Sequence, residues 1–191
     1  PQYTRRQHLD IMSDYHRHLV NHGFDPDQQA PDGAMIFSAN LRAGLPEEFQ
    51  MASFLGDQAA NFIQRNKDRP FILYVSTFEP HSPNKGPLDD LYDPAELPVG
   101  PAFLKRPEGA SLLNRVRADY FLQYMGDPNG FNADRYMTDY AATFNDITTE
   151  AGWRRLRARY FANITLVDRQ IGRIMEALEE SGHADDTIVV F

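Results

Sequence analysis

The sequence predicts an α/β fold: part of a mostly parallel sheet flanked by helices, incomplete on its own. Two observations carry that prediction and a third qualifies it. Residues 71–75 and 187–191 are unbroken apolar runs rich in β-branched and aromatic side chains, the pattern of strands buried on both faces. Each run follows an amphipathic helical stretch, and helices alternating with such strands build parallel sheets through right-handed crossovers. Two strands alone make a poor sheet, so further strands are expected from elsewhere in the protein.

The elements follow in order. Thr4-Arg-Arg-Gln7 reads as a capping box, and Leu9, Met12, Tyr15 and Leu19 follow at helical spacing up to Gly23, which predicts a helix over residues 5–22. Residues 24–45 contain Pro26, Pro31, Gly33 and Gly44 and read mainly as loop. Pro46-Glu-Glu opens a second helix, whose apolar face of Ala52, Leu55, Ala59, Phe62 and Ile63 runs to Asn66. The strand at 71–77 comes next. Residues 78–110 are rich in proline and read as a long irregular loop, a feature usually functional or disordered inside a compact domain. Ser111 starts a helical pattern through Leu112, Val116 and Tyr120, while residues 125–150 are polar and aromatic without a clear period. Thr148 or Thr149 caps the strongest helix. Its stripe of Leu156, Tyr160, Ile164, Val167, Ile171, Ile174 and Leu178 repeats at three and four residues until Gly182 ends it. Residues 187–191 form the second strand, and no internal repeat is visible.

Composition narrows the function classes. A hydrophobic content of 42% with 12% aromatics argues for a packed domain over a disordered one. The formal net charge of −8 lacks the basic footprint that nucleic acid or an anionic membrane would need. No stretch approaches the ~20 apolar residues of a transmembrane helix. The chain has no cysteine, which excludes disulfides and thiolate metal sites within it.

The candidate site lies just after the first strand, in Phe71-Ile-Leu-Tyr-Val-Ser-Thr-Phe-Glu-Pro-His-Ser-Pro83. Open α/β sheets place ligands beyond the carboxyl ends of their strands. His81 stands at that point, stiffened by Pro80 and Pro83. A histidine in a proline-rich surface turn is the plain alternative.

Asp68-Arg-Pro-Phe-Ile-Leu-Tyr-Val-Ser-Thr-Phe-Glu-Pro-His-Ser-Pro83 resembles the central strand-and-loop segment of the sulfatase family, within the alkaline phosphatase superfamily. A second stretch, Tyr160-Phe-Ala-Asn-Ile-Thr-Leu-Val-Asp-Arg-Gln-Ile-Gly172 through Asp185-Asp-Thr-Ile-Val-Val-Phe191, resembles the helix and strand preceding a metal-binding loop of that family. Leu45-Pro-Glu-Glu with its helix is a third, weaker match. The resemblance implies a sulfuric ester hydrolase with a formylglycine nucleophile and a calcium ion, acting on a small-molecule sulfate ester. It also implies that His81 binds the sulfate or the leaving-group oxygen. The family's Cys- or Ser-x-Pro-Ser-Arg signature, its Gly-Lys-x-His motif and its metal-binding aspartate pairs have no counterpart here. The expectation is therefore a single internal segment, 1–191, of a larger catalytic domain, inactive alone and with no metal ligand of its own. Location and oligomeric state stay open, with export favoured by the resemblance. Phosphonate or phosphate monoester hydrolysis, or a non-catalytic binding domain, are the alternatives.

The remaining constellations carry less. Asn84 and Lys85 follow His81 closely enough to reach the same anion or a substrate hydroxyl, or belong to a solvated loop. The Glu79 carboxylate would repel a sulfate ester and is better suited to orienting a neighbour. His18 and His22 are one helical turn apart but lack the glutamate of a His-Glu-x-x-His motif. Arg154, Arg155, Arg157 and Arg159 read as a solvated face paired with acidic loops, since cations oppose the dipole at a helix start. Asp168 reads as structural support, and Asp185 and Asp186 as turn residues. Asn163-Ile-Thr165 matches a glycosylation acceptor by letter but lies inside a strong helix.

Overall fold

The structure, a computed structural model, describes residues 13–30, 33–81, 84–124 and 149–191; the side chains of 120–124 are not described. Helix α1 (Asp14–Asn21) starts at Ser13, whose hydroxyl accepts the His16 N–H. The expected helix over 5–22 thus begins at a local serine cap within the described residues, and Thr4 lies outside them. A two-residue antiparallel pair, β1 (Gln28–Gln29) with β2 (Met35–Ile36), interrupts the expected loop. Helix α2 (Ala39–Ala43) follows, capped by the Ser38 hydroxyl. Asp27 accepts both the N–H and the hydroxyl of Ser38, at 2.7 and 2.6 Å. These two bonds hold its carboxyl below the usual carboxylate range.

The second predicted helix is divided. A 3₁₀ turn (Glu47–Phe49) leads into α3 (Met51–Asn66), with Gln50 extended between them. Helix α4 (Leu112–Tyr124) occupies the pattern after Ser111, although Leu112, Leu113 and Val116 are exposed. Helix α5 (Glu150–Glu180) is capped by Thr149, whose Oγ1 accepts the Gly152 N–H at 3.1 Å. Gly182 ends it at φ +79°, a conformation glycine adopts without a Cβ clash. The Gly182 and His183 N–H groups close the last turn on the Glu179 and Leu178 carbonyls.

The described residues fall into two compact units, one drawn from Pro1–Ser82, Gly86–Leu88 and Asn163–Phe191, the other from Pro83–Lys85 and Asp89–Ala162. In the first, Tyr15, Leu19, Phe37, Leu45 and Phe54 form one core cluster, and Ile63, Ala177 and Leu178 a second. Phe71 and Leu73 pack against the second cluster. In the second unit, the face of α5 that goes inside carries Ala158 and Ala162. The expected stripe is correspondingly rotated: Tyr160 and Ile164 are 42% and 41% exposed, while Leu166 and Gln170 are buried.

The two predicted strands need correction. Neither 71–77 nor 187–191 is paired in a sheet among the described residues, where β1–β2 is the sheet that forms. Nor are they buried on both faces. Ile72 and Tyr74 are 96% and 88% exposed while Phe71, Leu73 and Val75 are half-buried, and Ile188 and Val190 are exposed too. Phe71 and Leu73 pack one side of the first segment against α3 and α5, whereas residues 188–191 are exposed throughout, and both segments border a cavity of about 1080 Å³. The apolar run is continuous in sequence, yet only alternate residues of 71–75 meet a helix. The His183 ring donates to the Lys67 carbonyl, which ties the starts of both segments together.

Candidate functional site

His81 occupies an exposed turn. Its N–H bonds the Phe78 carbonyl at 3.1 Å, its ring lies 4.6 Å from the Phe78 ring between centroids, and the Glu79–Pro80 bond is cis. The Thr77 hydroxyl donates to the Glu79 carbonyl at 3.0 Å. Short bonds and a proline thus hold the imidazole at the end of the 71–77 segment, as the sequence places it.

Behind this turn stand polar groups that periodicity did not reveal. Helix α3 has no acidic residue in its first turn, and its N-cap residue, Gln50, makes no side-chain capping bond. Gln50 is committed elsewhere, donating to the Leu45 and Arg42 carbonyls at 2.7 and 3.1 Å. The Ala52 N–H in that first turn, with those of Phe78 and Glu79 itself, pulls the Glu79 carboxyl pKa down. Arg42, from α2, adds its charge nearby. Burial nevertheless dominates and raises the Glu79 carboxyl above its ordinary range, against the pull of these N–H groups and Arg42. Glu79 Oε2 and Arg42 Nε are both buried without a hydrogen-bond partner among the described residues.

Two more groups feel the same charges. The Tyr15 hydroxyl, bonded to the Phe49 carbonyl at 2.8 Å, is pushed up to about 12 by burial, with Glu79 adding and Arg42 opposing. His16 is lowered by burial first and then by Arg42. Tyr15 was legible only as an apolar-face residue and Arg42 only as a loop residue. The available signal was a glutamate inside an apolar segment, which must find buried donors when it folds inward.

Asn84 and Lys85 belong to the other unit, where Asn84 is 5% exposed and Lys85 is exposed. His18 and His22 do meet, with ring centroids 4.3 Å apart. They lie over aromatic rings, His18 by Phe54 and His22 by Phe49. Burial lowers the His18 pKa, with His22 lowering it further and Asp57 opposing. Among the described residues, no group of three or more histidine, aspartate or glutamate side chains could hold a metal ion.

The arginines at the start of α5 combine ion pairs with carbonyl contacts, Arg154 pairing with Glu150 at 3.8 Å. Arg154 donates to the Leu97 and Ala95 carbonyls, and Arg157 to the Val99 carbonyl at 3.3 Å, with its guanidinium 5.6 Å from the Phe161 ring centre. Arg159 pairs with Asp89 at 3.3 Å. Trp153 donates to the Val99 carbonyl at 2.9 Å and its ring lies against Phe103. Tyr92 meets Phe161. Of the aromatic residues between 78 and 150, these two line a small packed cluster on α5, and Phe131 and Tyr136 lie outside the described residues. Asp168 is exposed, which corrects its reading as a half-buried support. Asp185 and Asp186 lie in a turn, and Asn163 is buried within α5, out of reach of a glycan.

The sulfatase family profile matches residues 11–191. The chain is 25% identical over 190 residues to the multifunctional alkaline phosphatase superfamily protein PehA of Trinickia caryophylli, covering 94% of this chain and 35% of that protein. It is 31% identical over 147 residues to a choline-sulfatase of Rhizobium meliloti, covering 73% and 24%. An arylsulfatase of Clostridium perfringens is 25% identical over 151 residues, covering 78% and 27%. Among solved structures, the phosphonate monoester hydrolase SpPMH from Silicibacter pomeroyi superposes with a TM-score of 0.58 at 24% identity, over 94% of this chain and 35% of that one. The chain belongs to the sulfatase family, hydrolases of the alkaline phosphatase superfamily. It spans between 24% and 35% of the length of these curated relatives. No described helix is long and apolar enough to cross a membrane.

Proposed function

We propose that this chain is part of a hydrolase that cleaves small sulfate monoesters, with His81 at the reacting group. The carrying observation is the fixed, exposed imidazole at the end of the 71–77 segment, within a family match over residues 11–191. A cationic imidazole donates a charge-assisted hydrogen bond to an anionic ester. As the bond between sulfur and the departing oxygen breaks, the ring hands that oxygen a proton. Asn84 and Lys85 are proposed to contact the same ester or its hydroxyl groups. The formylglycine and calcium ion that the family resemblance implies would supply the nucleophile and offset the ester charge, and none of the described residues is assigned to hold either. The 191 residues alone are proposed to be inactive.

The parallel sheet belongs to the same proposal. The bond from His183 to the Lys67 carbonyl starts segments 71–77 and 187–191 side by side, which supports a parallel course in the complete domain.

Phosphonate monoester hydrolysis is the second reading. It is favoured by the 94% coverage of this chain shared by PehA and the phosphonate monoester hydrolase. Turnover of an aryl sulfate and an aryl phosphonate monoester by the purified whole protein separates the two. His81→Ala should lower kcat on the preferred ester by roughly 10²–10⁴-fold with the fold intact. Unchanged turnover would remove His81 from the chemistry. Turnover by the isolated 191-residue chain would refute its inactivity.

A further inference from the structure

We infer that Phe78 is a positioning residue for His81, a ring laid against the imidazole that restrains its plane and leaves its nitrogens to the ester. The inference rests on the reading of His81 as the residue that meets the ester.

Three observations carry it. First, the backbone brings the two rings together. Along 71–78 the residues alternate, with Phe71, Leu73, Val75 and Thr77 half-buried and Ile72, Tyr74, Ser76 and Phe78 exposed. Phe78 thus leaves on the outer side, and the chain folds back at once. The His81 N–H bonds the Phe78 carbonyl at 3.1 Å and closes a four-residue turn whose first and last residues are neighbours. The Thr77 hydroxyl, bonded to the Glu79 carbonyl at 3.0 Å, fixes the middle of that turn.

Second, the contact suits orientation. The ring centroids are 4.6 Å apart and the planes are inclined by 31°, within the range of offset aromatic pairs. Such a contact occupies a face of the imidazole, whereas both ring nitrogens lie on its edge. The plane is therefore restrained without spending the donor that the proposed chemistry needs. An imidazole on an exposed turn otherwise rotates about two side-chain bonds, and misplacement of a reacting group slows the reaction steeply. Third, core packing does not account for Phe78. It is 47% exposed and takes no part in either core cluster of the first unit, and its aromatic partner among the described residues is His81.

The test uses the whole protein and five forms: parent, Phe78→Leu, Phe78→Tyr, His81→Ala and the Phe78→Leu/His81→Ala double variant. Leucine keeps apolar bulk and loses the ring; tyrosine keeps the ring. We expect Phe78→Leu to lower kcat roughly tenfold with KM nearly unchanged, the upper end of what an aromatic pair contributes. Phe78→Tyr should stay within about twofold of the parent. If Phe78 works through His81, the double variant should match His81→Ala within about twofold. A second readout follows the rings directly. In protein carrying isotope-labelled histidine, the His81 ring signals, assigned by their loss in His81→Ala, should move in Phe78→Leu and hold in Phe78→Tyr, because a stacked ring shifts the resonances of its neighbour. Parent-like kcat in Phe78→Leu beside a crippled His81→Ala would overturn the inference. So would an equal loss in Phe78→Tyr, a raised KM with kcat unchanged, a full Phe78→Leu loss on top of the His81→Ala loss, or His81 signals indifferent to Phe78→Leu. Should Phe78→Leu fail to fold, Phe78→Met is read in its place by the same outcomes. An active His81→Ala would instead bring down the reading of His81, and the inference with it, even where the histidine signals still report the stack.

Discussion

Two proline-bearing loops in this chain are fixed by bonds between side chains and backbone, with opposite chemistry. At 93–103, cationic and indole donors on α5 reach out to carbonyls: Trp153 and Arg157 to Val99, Arg154 to Ala95 and Leu97. At 77–81, the loop is held by short bonds of its own, His81 N–H to the Phe78 carbonyl and the Thr77 hydroxyl to the Glu79 carbonyl, and it buries the anionic Glu79 carboxylate. The first kind is inexpensive, because half-exposed guanidinium groups keep much of their hydration while they bind. The second takes a carboxylate out of water and leaves one oxygen without a partner among the described residues. A loop held only for shape has no reason to accept that cost. The contrast separates a fastening from a working part, and it picks out the loop that bears His81.

The comparison can be broken at either loop. The largest stability effect is expected at the fastening. Trp153→Ala removes the bond to Val99 and the contact with Phe103, and should cost about 2–3 kcal/mol, less than the ~3–5 kcal/mol of a fully buried ring. Amide exchange and protease cleavage across 93–103 should both accelerate; unaltered rates would show that the arginines suffice.

A smaller effect is expected one turn below the working loop. A Cβ on Gly56 would sit 2.7 Å from Gln170 Oε1 and 3.0 Å from its Cβ. Overpacking costs about 1–3 kcal/mol, whereas replacing a helical glycine with alanine returns about 1 kcal/mol. Gly56→Ala should therefore lose roughly 1 kcal/mol in a denaturant titration, partly recovered by adding Gln170→Ala. A stabilised Gly56→Ala would show that the two helices separate easily there.

The smallest effect is a pH dependence. Burial raises the Glu79 pKa above the ordinary 4.5, so the folded protein holds that proton more tightly than the unfolded chain. The resulting stability is present below the ordinary value and is lost as pH rises through the raised one. Glu79→Gln does not titrate, so its Tm relative to the parent should climb from acid toward neutral pH. A flat or falling difference would mean that the carboxylate is well satisfied, and the contrast between the loops would weaken.

Much of this architecture is legible in the sequence because it depends on local spacing. The stop at Gly182, the cap at Thr149 and the turn of Asp185 and Asp186 need only neighbouring residues. The α5 stripe was harder, since a helix rich in alanine can bury Ala158 and Ala162 and leave Tyr160 outside. Apolar continuity at 71–75 signals membership of a sheet but does not say which face is covered. Of the candidate site, His81 was visible from its prolines and its family motif. The burial of the Glu79 carboxylate within reach of the Arg42 charge was not, because periodicity does not register which distant segments meet around one side chain.

The tie between His183 and the Lys67 carbonyl closes a span of 116 residues at one point. The entropy of closing a loop grows only with the logarithm of its length, so doubling such a span adds roughly 0.6 kcal/mol. The closure term alone therefore hardly changes when an exposed stretch between those two residues is lengthened or shortened, and the starts of the two apolar segments keep their tie. Residues 104–111, past the carbonyls that Trp153, Arg154 and Arg157 hold, are exposed or half-exposed and offer an engineer such a stretch.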